Sequence, residues 1–111
     1  MIFSIVITSY NYDEYLNDCI QSCLNQSSLY PYEIIIIDDG SSDNSISILN
    51  KIRNEKVKVF FKKNSGIEKA SNYGFKKSIG KYILRLDADD YLHKDFLKIM
   101  SEKLDENVDF F

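Results

Sequence analysis

Four consecutive isoleucines at residues 34–37 constrain the fold of this chain more than any other feature of the sequence. A strand with one face in water alternates apolar and polar side chains, whereas an unbroken apolar run is typical of a strand that is covered on both faces. Strands of this kind occur in parallel sheets whose crossover helices lie on the two faces. Residues 33–37 are therefore predicted to form an inner strand of a parallel sheet.

The rest of the chain repeats this pattern, because short apolar runs alternate with stripes of helical spacing. Further strands are predicted at residues 3–7, 57–61 and 82–86. Residues 57–61 are expected to form an exposed edge strand because of Lys58, and residues 82–86 are expected to form a buried strand. The apolar stripes of the intervening helices are Leu16, Cys19, Ile20, Cys23 and Leu24; Ile46, Leu49 and Ile52; Ala70 and Tyr73; and Phe96, Leu97, Met100 and Leu104. This alternation predicts a Rossmann-like, doubly wound α/β fold, with a mostly parallel sheet and helices on both faces.

Local signals predict where several of these elements begin and end. Asn11 or Asp13 is expected to cap the first helix, and residues 41–43 are expected to cap the second. Gly80 stands where a left-handed residue would close the third helix. Residues 108–111 are predicted to start a fifth strand.

Composition limits the classes of protein to which the chain can belong. Its 111 residues suffice for one domain, and a net charge of −3 gives no sign of a nucleic-acid partner. The longest apolar run is too short to span a membrane, and the first residues lack the features of a signal peptide, so a cytoplasmic location is expected. Cys19 and Cys23, four residues apart, are interpreted as small buried apolar residues rather than a disulfide.

Polar stretches follow three of the predicted strands, at residues 8–11, 38–40 and 87–90. Ligands of doubly wound sheets bind beyond the carboxyl ends of the strands, where the strand order reverses. Two adjacent carboxylates repel each other by about 4 kcal/mol at 4 Å near a protein surface, so Asp87, Asp89 and Asp90 favour a bound divalent cation. The alternative is a solvated acidic turn in which Asp90 or a neighbouring residue caps the next helix.

The strand-to-helix turns contain neither G-x-G-x-x-G nor a P-loop, which disfavours a dinucleotide or NTPase fold. A divalent cation could nevertheless join a diphosphate to the acidic residues, and this favours a nucleotide-diphosphate ligand.

Four motifs resemble, in order, those of the family 2 glycosyltransferases of the GT-A fold, over the whole chain. The motifs are residues 6–11 (Val-Ile-Thr-Ser-Tyr-Asn), 37–43 (Ile-Asp-Asp-Gly-Ser-Ser-Asp), 64–83, which start Asn-Ser-Gly and end Gly-Lys-Tyr-Ile, and 86–90 (Leu-Asp-Ala-Asp-Asp). One departure is that Ala70-Ser71-Asn72 stands where many members have Ala-Arg-Asn, which removes an arginine that could contact the diphosphate or the sugar.

The resemblance implies roles for particular residues. Thr8 and Tyr10 would line the nucleobase pocket, and Asp39 would bind the edge of the base. Asp87 would lie near the ribose, and Asp89 would ligate Mg²⁺ or Mn²⁺ in the D-x-D motif. In addition, Asn72 matches a donor-binding position of the third helix, whereas Asp38 is expected to be structural and Asp90 an outer carboxylate or a cap.

The family also implies an activity, namely transfer of a sugar from a nucleotide-diphosphate sugar to a hydroxyl of a saccharide or lipid-linked acceptor, with inversion. Its catalytic base lies well downstream of the D-x-D, so it is expected beyond Phe111. The chain would then be the truncated donor-binding part of a longer enzyme, residues 1–111, without the acceptor-binding half and inactive by itself. Cell-envelope polysaccharide assembly at the inner face of a membrane, with peripheral membrane association, is the family-level expectation. Self-association through an open sheet edge is also expected.

Other classes of protein share parts of this pattern. A receiver-type signalling domain would carry acidic residues after the first strand and an aspartate after the third, but here those strands end in Thr8-Ser9-Tyr10 and in Lys62-Lys63. A nucleotidyltransferase would have a glycine-rich basic loop after the first strand, and the absence of such a loop here disfavours that class. The sequence is also compatible with a nucleotide-binding domain that has no transferase activity. His93, Lys62, Lys63, Lys76 and Lys77 are interpreted as solvated side chains, and Arg85 as the partner of a nearby acid.

Overall fold

The structure is a computed structural model that describes residues 1–105. Four strands alternate with four helices: β1 (Phe3–Ser9), α1 (Asp13–Leu24), β2 (Tyr32–Asp38), α2 (Ser45–Asn50), β3 (Val57–Phe61), α3 (Ile67–Lys77), β4 (Tyr82–Asp87) and α4 (Phe96–Asp105). This order is the predicted one. The strand predicted at residues 108–111 lies outside the described residues.

The four strands form one parallel sheet in the order β3-β2-β1-β4. The chain first builds the sheet in one direction, from β1 to β3, and then returns to place β4 on the other side of β1. The strand order therefore reverses between β1 and β4, which is where a doubly wound sheet leaves a crevice for ligands. The predicted α/β class and the predicted parallel sheet are both confirmed.

Strands β1 and β2 are buried along their whole length, as the isoleucine run predicts. The side chains of one face, among them Ile5, Ile34 and Ile36, pack with α1, α2 and α4. The other face carries Val6 and Ile35, which pack with α3. Helices thus cover both faces, so both strands need apolar side chains at successive positions.

The prediction of a buried fourth strand is wrong, because β4 is an edge strand of the described sheet. Its residues alternate between half-buried and exposed, and Ile83 is 42% exposed. The side chains of Tyr82, Leu84 and Leu86 pack on the core. The opposite face carries the exposed Ile83 and Arg85, and Arg85 donates to Ser71 of α3. An apolar run in the sequence cannot distinguish an inner strand from an edge strand whose outer face is only partly covered.

Two predicted helix ends also differ from the structure. α3 ends at Lys77, and Gly80 lacks a positive φ, so it is no left-handed cap. Instead, a Cβ at Gly80 would lie 2.7 Å from the backbone of Phe3, and this close approach of loop and strand requires glycine. α1 follows Tyr12, and its Asp13 amide donates to Asp43 Oδ2 at 3.1 Å, so the cap comes from the loop before α2.

The same aspartate supports the start of the second helix. Asp43 Oδ1 accepts a hydrogen bond from the amide of Ser45 at 2.9 Å, although the N-cap residue of α2 is Asn44 and not one of the predicted residues 41–43. Cys19 and Cys23 are buried free thiols, as predicted. In the part of the chain that the structure describes, no helix combines the length and the apolar character that crossing a membrane requires.

Glu33 is a buried charge that joins three segments at the amino end of the sheet. It is 1% exposed, and its Oε2 accepts hydrogen bonds from Ser4 Oγ at 2.6 Å and from the Ile79 amide at 2.7 Å. Lys58 Nζ lies 3.2 Å from Oε1. Burial raises the pKa of Glu33, but the hydrogen bonds from Ile79 and Ser4 and the Lys58 ammonium outweigh it and hold the pKa below its ordinary value.

We expect Glu33→Gln to lower the free energy of unfolding at pH 7 by about 1–3 kcal/mol, because an amide cannot accept all of these charge-assisted hydrogen bonds. A carboxyl whose pKa is lower in the folded state stabilises the fold above its unfolded pKa, near 4.3, and this stabilisation is lost as the pH falls through the folded pKa. The difference between wild type and variant should therefore shrink in acid. Urea unfolding at pH 7 and at pH 3.5 measures both effects.

The matched control is Glu55→Gln, which removes an exposed carboxylate in the loop before β3. It should leave the stability at both pH values unchanged within about 0.5 kcal/mol. Equal stability of Glu33→Gln and Glu55→Gln at pH 7 would contradict the role assigned to the buried carboxylate.

Candidate functional site

The loops that follow β1, β2 and β4 meet at one edge of the sheet, as the sequence predicts. The Asp39 amide donates to the Ser9 carbonyl at 2.8 Å, and the Ala88 amide donates to the Thr8 carbonyl at 3.1 Å. These hydrogen bonds extend the parallel pairing by one residue beyond the strands. They place the polar loops side by side at the carboxyl ends of three neighbouring strands.

A pocket of about 220 Å³ opens between the end of β1 and the start of α3. It is lined by Thr8, Ser9, Tyr10, Tyr12, Asp39, Asn64, Gly66, Ile67 and Ala70. Three of the predicted donor-binding residues, namely Thr8, Tyr10 and Asp39, are among them. Pockets that enclose a drug-sized ligand measure about 300–1,000 Å³, so this pocket has room for only part of a large ligand, such as a planar ring.

Asp39 lines this pocket, and the residue is only 4% exposed. Its Oδ1 accepts from the Ser65 amide at 3.1 Å, and its Oδ2 accepts from the Gly66 amide at 3.0 Å. Asn64 Nδ2 lies 3.4 Å from Oδ2. These donors belong to the loop that leads into α3, so Asp39 fixes the start of that helix in the way an N-terminal cap does.

Lys62 neutralises Asp39, which the sequence did not reveal. Its ammonium lies 3.0 Å from Asp39 Oδ1 and also donates to the Lys63 carbonyl and the Ser65 hydroxyl. The interpretation of Lys62 as a solvated lysine is therefore wrong. Lys62 follows β3, which lies beside β2, and only this sheet pairing brings the ammonium next to the carboxylate.

Asp38, by contrast, has the structural role that was expected of it. Its carboxylate accepts hydrogen bonds from the Ser41 amide at 2.9 Å and the Ser41 hydroxyl at 2.6 Å. Asn11, which has a φ of 57°, joins the neighbouring loop through its Oδ1, which accepts from the Ser42 amide at 2.8 Å. The loops after β1 and β2 therefore hold each other in place.

The acidic residues after β4 form a cluster. Each of Asp87, Asp89 and Asp90 offers a carboxylate oxygen, and these oxygens lie within 4.8 Å of one another. Asp89 and Asp90 are exposed, and Asp87 is partly buried. An all-oxygen set of this charge matches the ligands preferred by Mg²⁺ and Mn²⁺ rather than softer metals. The residues present therefore fit the predicted divalent ion.

The alternative reading of this stretch as a helix cap fails for Asp90. Its amide closes a turn to the Asp87 carbonyl at 2.9 Å, and α4 begins only at Phe96. His93 is exposed, and its Nδ1 accepts from the Asp95 amide at 3.2 Å. Among the described residues His93 joins no group of metal-ligating side chains, in line with its interpretation as a solvated residue.

Asp87 connects the acidic cluster to the rest of the sheet edge. Its Oδ1 accepts from Arg85 Nη2 at 2.6 Å and from the Thr8 hydroxyl at 3.3 Å. The expected pairing of Arg85 with a nearby acid is thus observed. Since β4 pairs with β1 in a register that sets Thr8 beside Asp87, one predicted pocket residue touches one residue of the acidic cluster.

Asn72 lies apart from the pocket. It is exposed on α3 and lines a neighbouring cleft of about 290 Å³ together with Ile67, Glu68, Ser71, Phe75 and Arg85. The site residue that sequence reasoning missed is Lys62, whereas the pairing of Arg85 with a nearby acid was expected. The signal for Arg85 is the two-residue period of a strand, which places positions 85 and 87 on the same face of the sheet.

Comparison with known proteins finds glycosyltransferases, both by family and by individual relatives. The family model described as glycosyl transferase family 2 matches residues 4–111. An uncharacterized glycosyltransferase of Haemophilus influenzae is 46% identical over 100 residues, which cover 87% of this chain and 40% of that protein. A hyaluronan synthase of Pasteurella multocida is 39% identical over 100 residues, which cover 88% of this chain and 10% of the synthase.

Solved structures share the fold as well as the sequence pattern. The crystal structure of residues 1–349 of Staphylococcus aureus TarS in complex with UDP-GlcNAc matches with a TM-score of 0.86 and 33% identity, over 96% of this chain and 32% of TarS 1–349. The chain therefore spans well under half the length of these relatives. Together with the GT-A fold and the acidic cluster, the match over residues 4–111 shows that the chain belongs to glycosyl transferase family 2.

Proposed function

We propose that this chain binds the nucleotide-diphosphate sugar in a glycosyltransferase that passes the sugar to an acceptor hydroxyl. The observation that carries the proposal is the direct contact between the two halves of the site. Thr8 lines the pocket and also hydrogen-bonds Asp87 of the acidic cluster at 3.3 Å. A ligand with a planar ring at one end and a diphosphate at the other matches a narrow pocket beside an acidic, metal-binding cluster.

The pocket would hold the nucleobase. Tyr10 is 46% exposed at its rim and offers an aromatic face for stacking, while Thr8 and Asp39 offer polar atoms to the edges of the base and ribose. The carboxylate of Asp39 already accepts hydrogen bonds from the loop before α3. Binding of a base N–H to Asp39 would therefore compete with Lys62 or Asn64 for a carboxylate oxygen, which has about two lone pairs.

The acidic cluster would hold Mg²⁺ or Mn²⁺, with Asp89 as a ligand and Asp87 shared between the metal and the ribose. When bound, such an ion supplies positive charge that stabilises the departing diphosphate. Asp87 is suited to a shared position because Arg85 and Thr8 both engage its Oδ1. Its Oδ2 has no partner among the described residues, and it stays available to a ligand.

The reaction we propose is direct displacement at the anomeric carbon, with inversion, by an acceptor oxygen. We place the base that deprotonates the acceptor beyond Phe111. The chain spans 40% of the Haemophilus protein and 32% of TarS 1–349, which supports the proposal that residues 1–111 are the N-terminal donor-binding part and that another segment binds the acceptor. Alone, these residues would bind the donor without completing the transfer.

The remaining partners follow from the family. TarS was crystallised with UDP and with UDP-GlcNAc, which favours a uridine nucleotide as the donor here. A saccharide or lipid-linked acceptor, cell-envelope polysaccharide as product and attachment to the inner face of a membrane extend the same proposal. Self-association through the outer edge of β4 stays a prediction, supported by an apolar groove of about 280 Å³ between β4 and α4.

Nucleotide binding by the 111-residue chain tests this function directly. We expect calorimetric titration to show that Mn²⁺ strengthens the binding of UDP, and that Asp89→Asn reduces this gain by roughly tenfold or more, since even supporting residues of metal sites contribute 10- to 100-fold to affinity. Asp18→Asn, which changes an exposed aspartate of α1, is the matched control. Failure of the folded wild-type chain to bind UDP, GDP, CDP or dTDP with Mn²⁺ would refute the proposal.

Asp39→Asn tests the assignment of the base. We expect it to weaken UDP binding and to reduce the preference for UDP over CDP, because an amide presents a different pattern of donors and acceptors to the base. The variant also disturbs the start of α3, but a general loss of folded protein would lower the apparent affinity for both nucleotides equally. The ratio of the two dissociation constants therefore isolates recognition.

Lys62→Met serves as the control for this experiment, because it removes the ammonium and leaves the Asp39 carboxylate in place. It should preserve the preference for one nucleotide. If Asp39→Asn changes neither the affinity nor the ratio, the base-binding role of Asp39 is wrong.

A further inference from the structure

Arg85 is the only lysine or arginine, within residues 1–105, that forms an ion pair with the acidic cluster. Its position follows from the sheet, since the β1–β4 register sets Arg85 beside Val6, whose side chain packs on the α3 side. Arg85 Nε donates to Ser71 Oγ of α3 at 2.8 Å, and Nη2 donates to Asp87 Oδ1 at 2.6 Å. The guanidinium is therefore fixed at both ends, at the point where the strand order reverses.

Most of its hydrogen-bonding capacity is nevertheless unused. A guanidinium has five N–H groups in a planar fork, and only two of them have partners among the described residues. The side chain is 39% exposed and lines the 290 Å³ cleft next to the acidic cluster. Three N–H groups, on Nη1 and Nη2, thus remain available to a ligand at this edge of the sheet.

The charges at the site call for such a cation. The three aspartates carry a charge of −3, which a divalent ion reduces to −1, and a diphosphate adds at least two further negative charges. An arginine held against the cluster offsets part of this excess, and its fork matches the geometry of phosphate oxygens better than an ammonium does. Exposed ion pairs contribute little to stability, so the Arg85–Asp87 pair is poorly explained as a structural clamp alone.

We propose that Arg85 is a phosphate-binding residue of the donor site. The inference rests on the proposed function and assigns to Arg85 a contact with the diphosphate of the nucleotide sugar. Ser71 holds Nε, Asp87 holds one N–H of Nη2, and the outer edge of the fork, formed by Nη1 and Nη2, faces the diphosphate. The contact with Asp87 also turns Oδ1 towards the arginine and leaves Oδ2 for the metal.

The test compares ligands that differ only in their phosphates. Uridine, UMP and UDP are titrated in Mn²⁺ against the wild-type chain, Arg85→Gln and Arg85→Lys. We expect Arg85→Gln to weaken UDP binding by roughly 10- to 100-fold, as expected for hydrogen bonds to a charged group, and to change uridine binding by less than about twofold. Arg85→Lys should recover part of the loss, because it restores the charge without the fork.

Arg53→Gln is the matched control, since it removes an exposed arginine that, within residues 1–105, donates to the carbonyls of Asn50, the last residue of α2, and of Ile52. It should leave all three affinities unchanged. Ser71→Ala, which releases Nε, should weaken UDP binding less than Arg85→Gln does. Melting temperatures of all variants verify that the chain stays folded.

The outcomes separate this inference from the proposed function. If the wild type binds UDP with Mn²⁺ and Arg85→Gln binds it equally well, the phosphate-binding role is wrong while the proposed function stands. An equal loss of uridine and UDP affinity would show a structural role and would also overturn the inference. If the wild type binds no nucleotide, both proposals fail together.

Discussion

The covering of β1 and β2 on both faces is the constraint on which the rest of the structure depends. Neither face of these strands can carry solvated side chains, so charged and polar side chains that need water or a ligand lie at the strand ends. At the amino end the buried Glu33 is compensated by Ser4, Ile79 and Lys58. At the carboxyl end the polar residues line an open pocket, and this difference makes the carboxyl end the candidate site.

The acidic residues at the carboxyl end fall into two groups that differ in how their charge is used. Asp38 ends β2, and its carboxylate accepts a hydrogen bond from the Ser41 amide of the loop that follows. Asp39 and Asp43 lie in that loop and accept from the backbone amides of Gly66 and Asp13, which precede α3 and begin α1. Asp89 and Asp90 follow β4 and are exposed. The first group stabilises the loops, and the second presents exposed carboxylate oxygens to which the proposed divalent cation would bind. Asp87 belongs to both groups, since one oxygen is engaged and the other is open.

The reversal of strand order brings the pocket and the acidic cluster next to each other. Because β4 returns to the far side of β1, the pocket beside β2 and the acidic cluster after β4 share β1 as a common border, where Thr8 touches Asp87. Arg85 extends the same border to α3 through Ser71. A ligand with separate base and diphosphate ends can thus contact loops that are distant in sequence but adjacent at one sheet edge.

Much of this could be predicted from the sequence, because the relevant signals are local. The isoleucine run and the helical stripes determined the element order and the parallel sheet, and the polar stretches after the strands determined where a site would form. The sequence alone did not reveal that β4 is an edge strand, because an apolar run is compatible with either one or two covered faces. Gly80 was misread for a similar reason, since its need for glycine comes from a strand distant in sequence.

Only the tertiary structure decided which polar and charged side chains meet across elements that are distant in sequence. Lys62 and Asp39 are 23 residues apart, and Arg85 and Ser71 are 14 apart, so no local pattern links them. Their contacts depend on strand register and on the face over which α3 crosses, and these are set by packing across the whole sheet. The sequence by itself therefore determined the fold and the position of the candidate site, whereas the long-range contacts of Lys62 with Asp39 and of Arg85 with Ser71 required the three-dimensional arrangement.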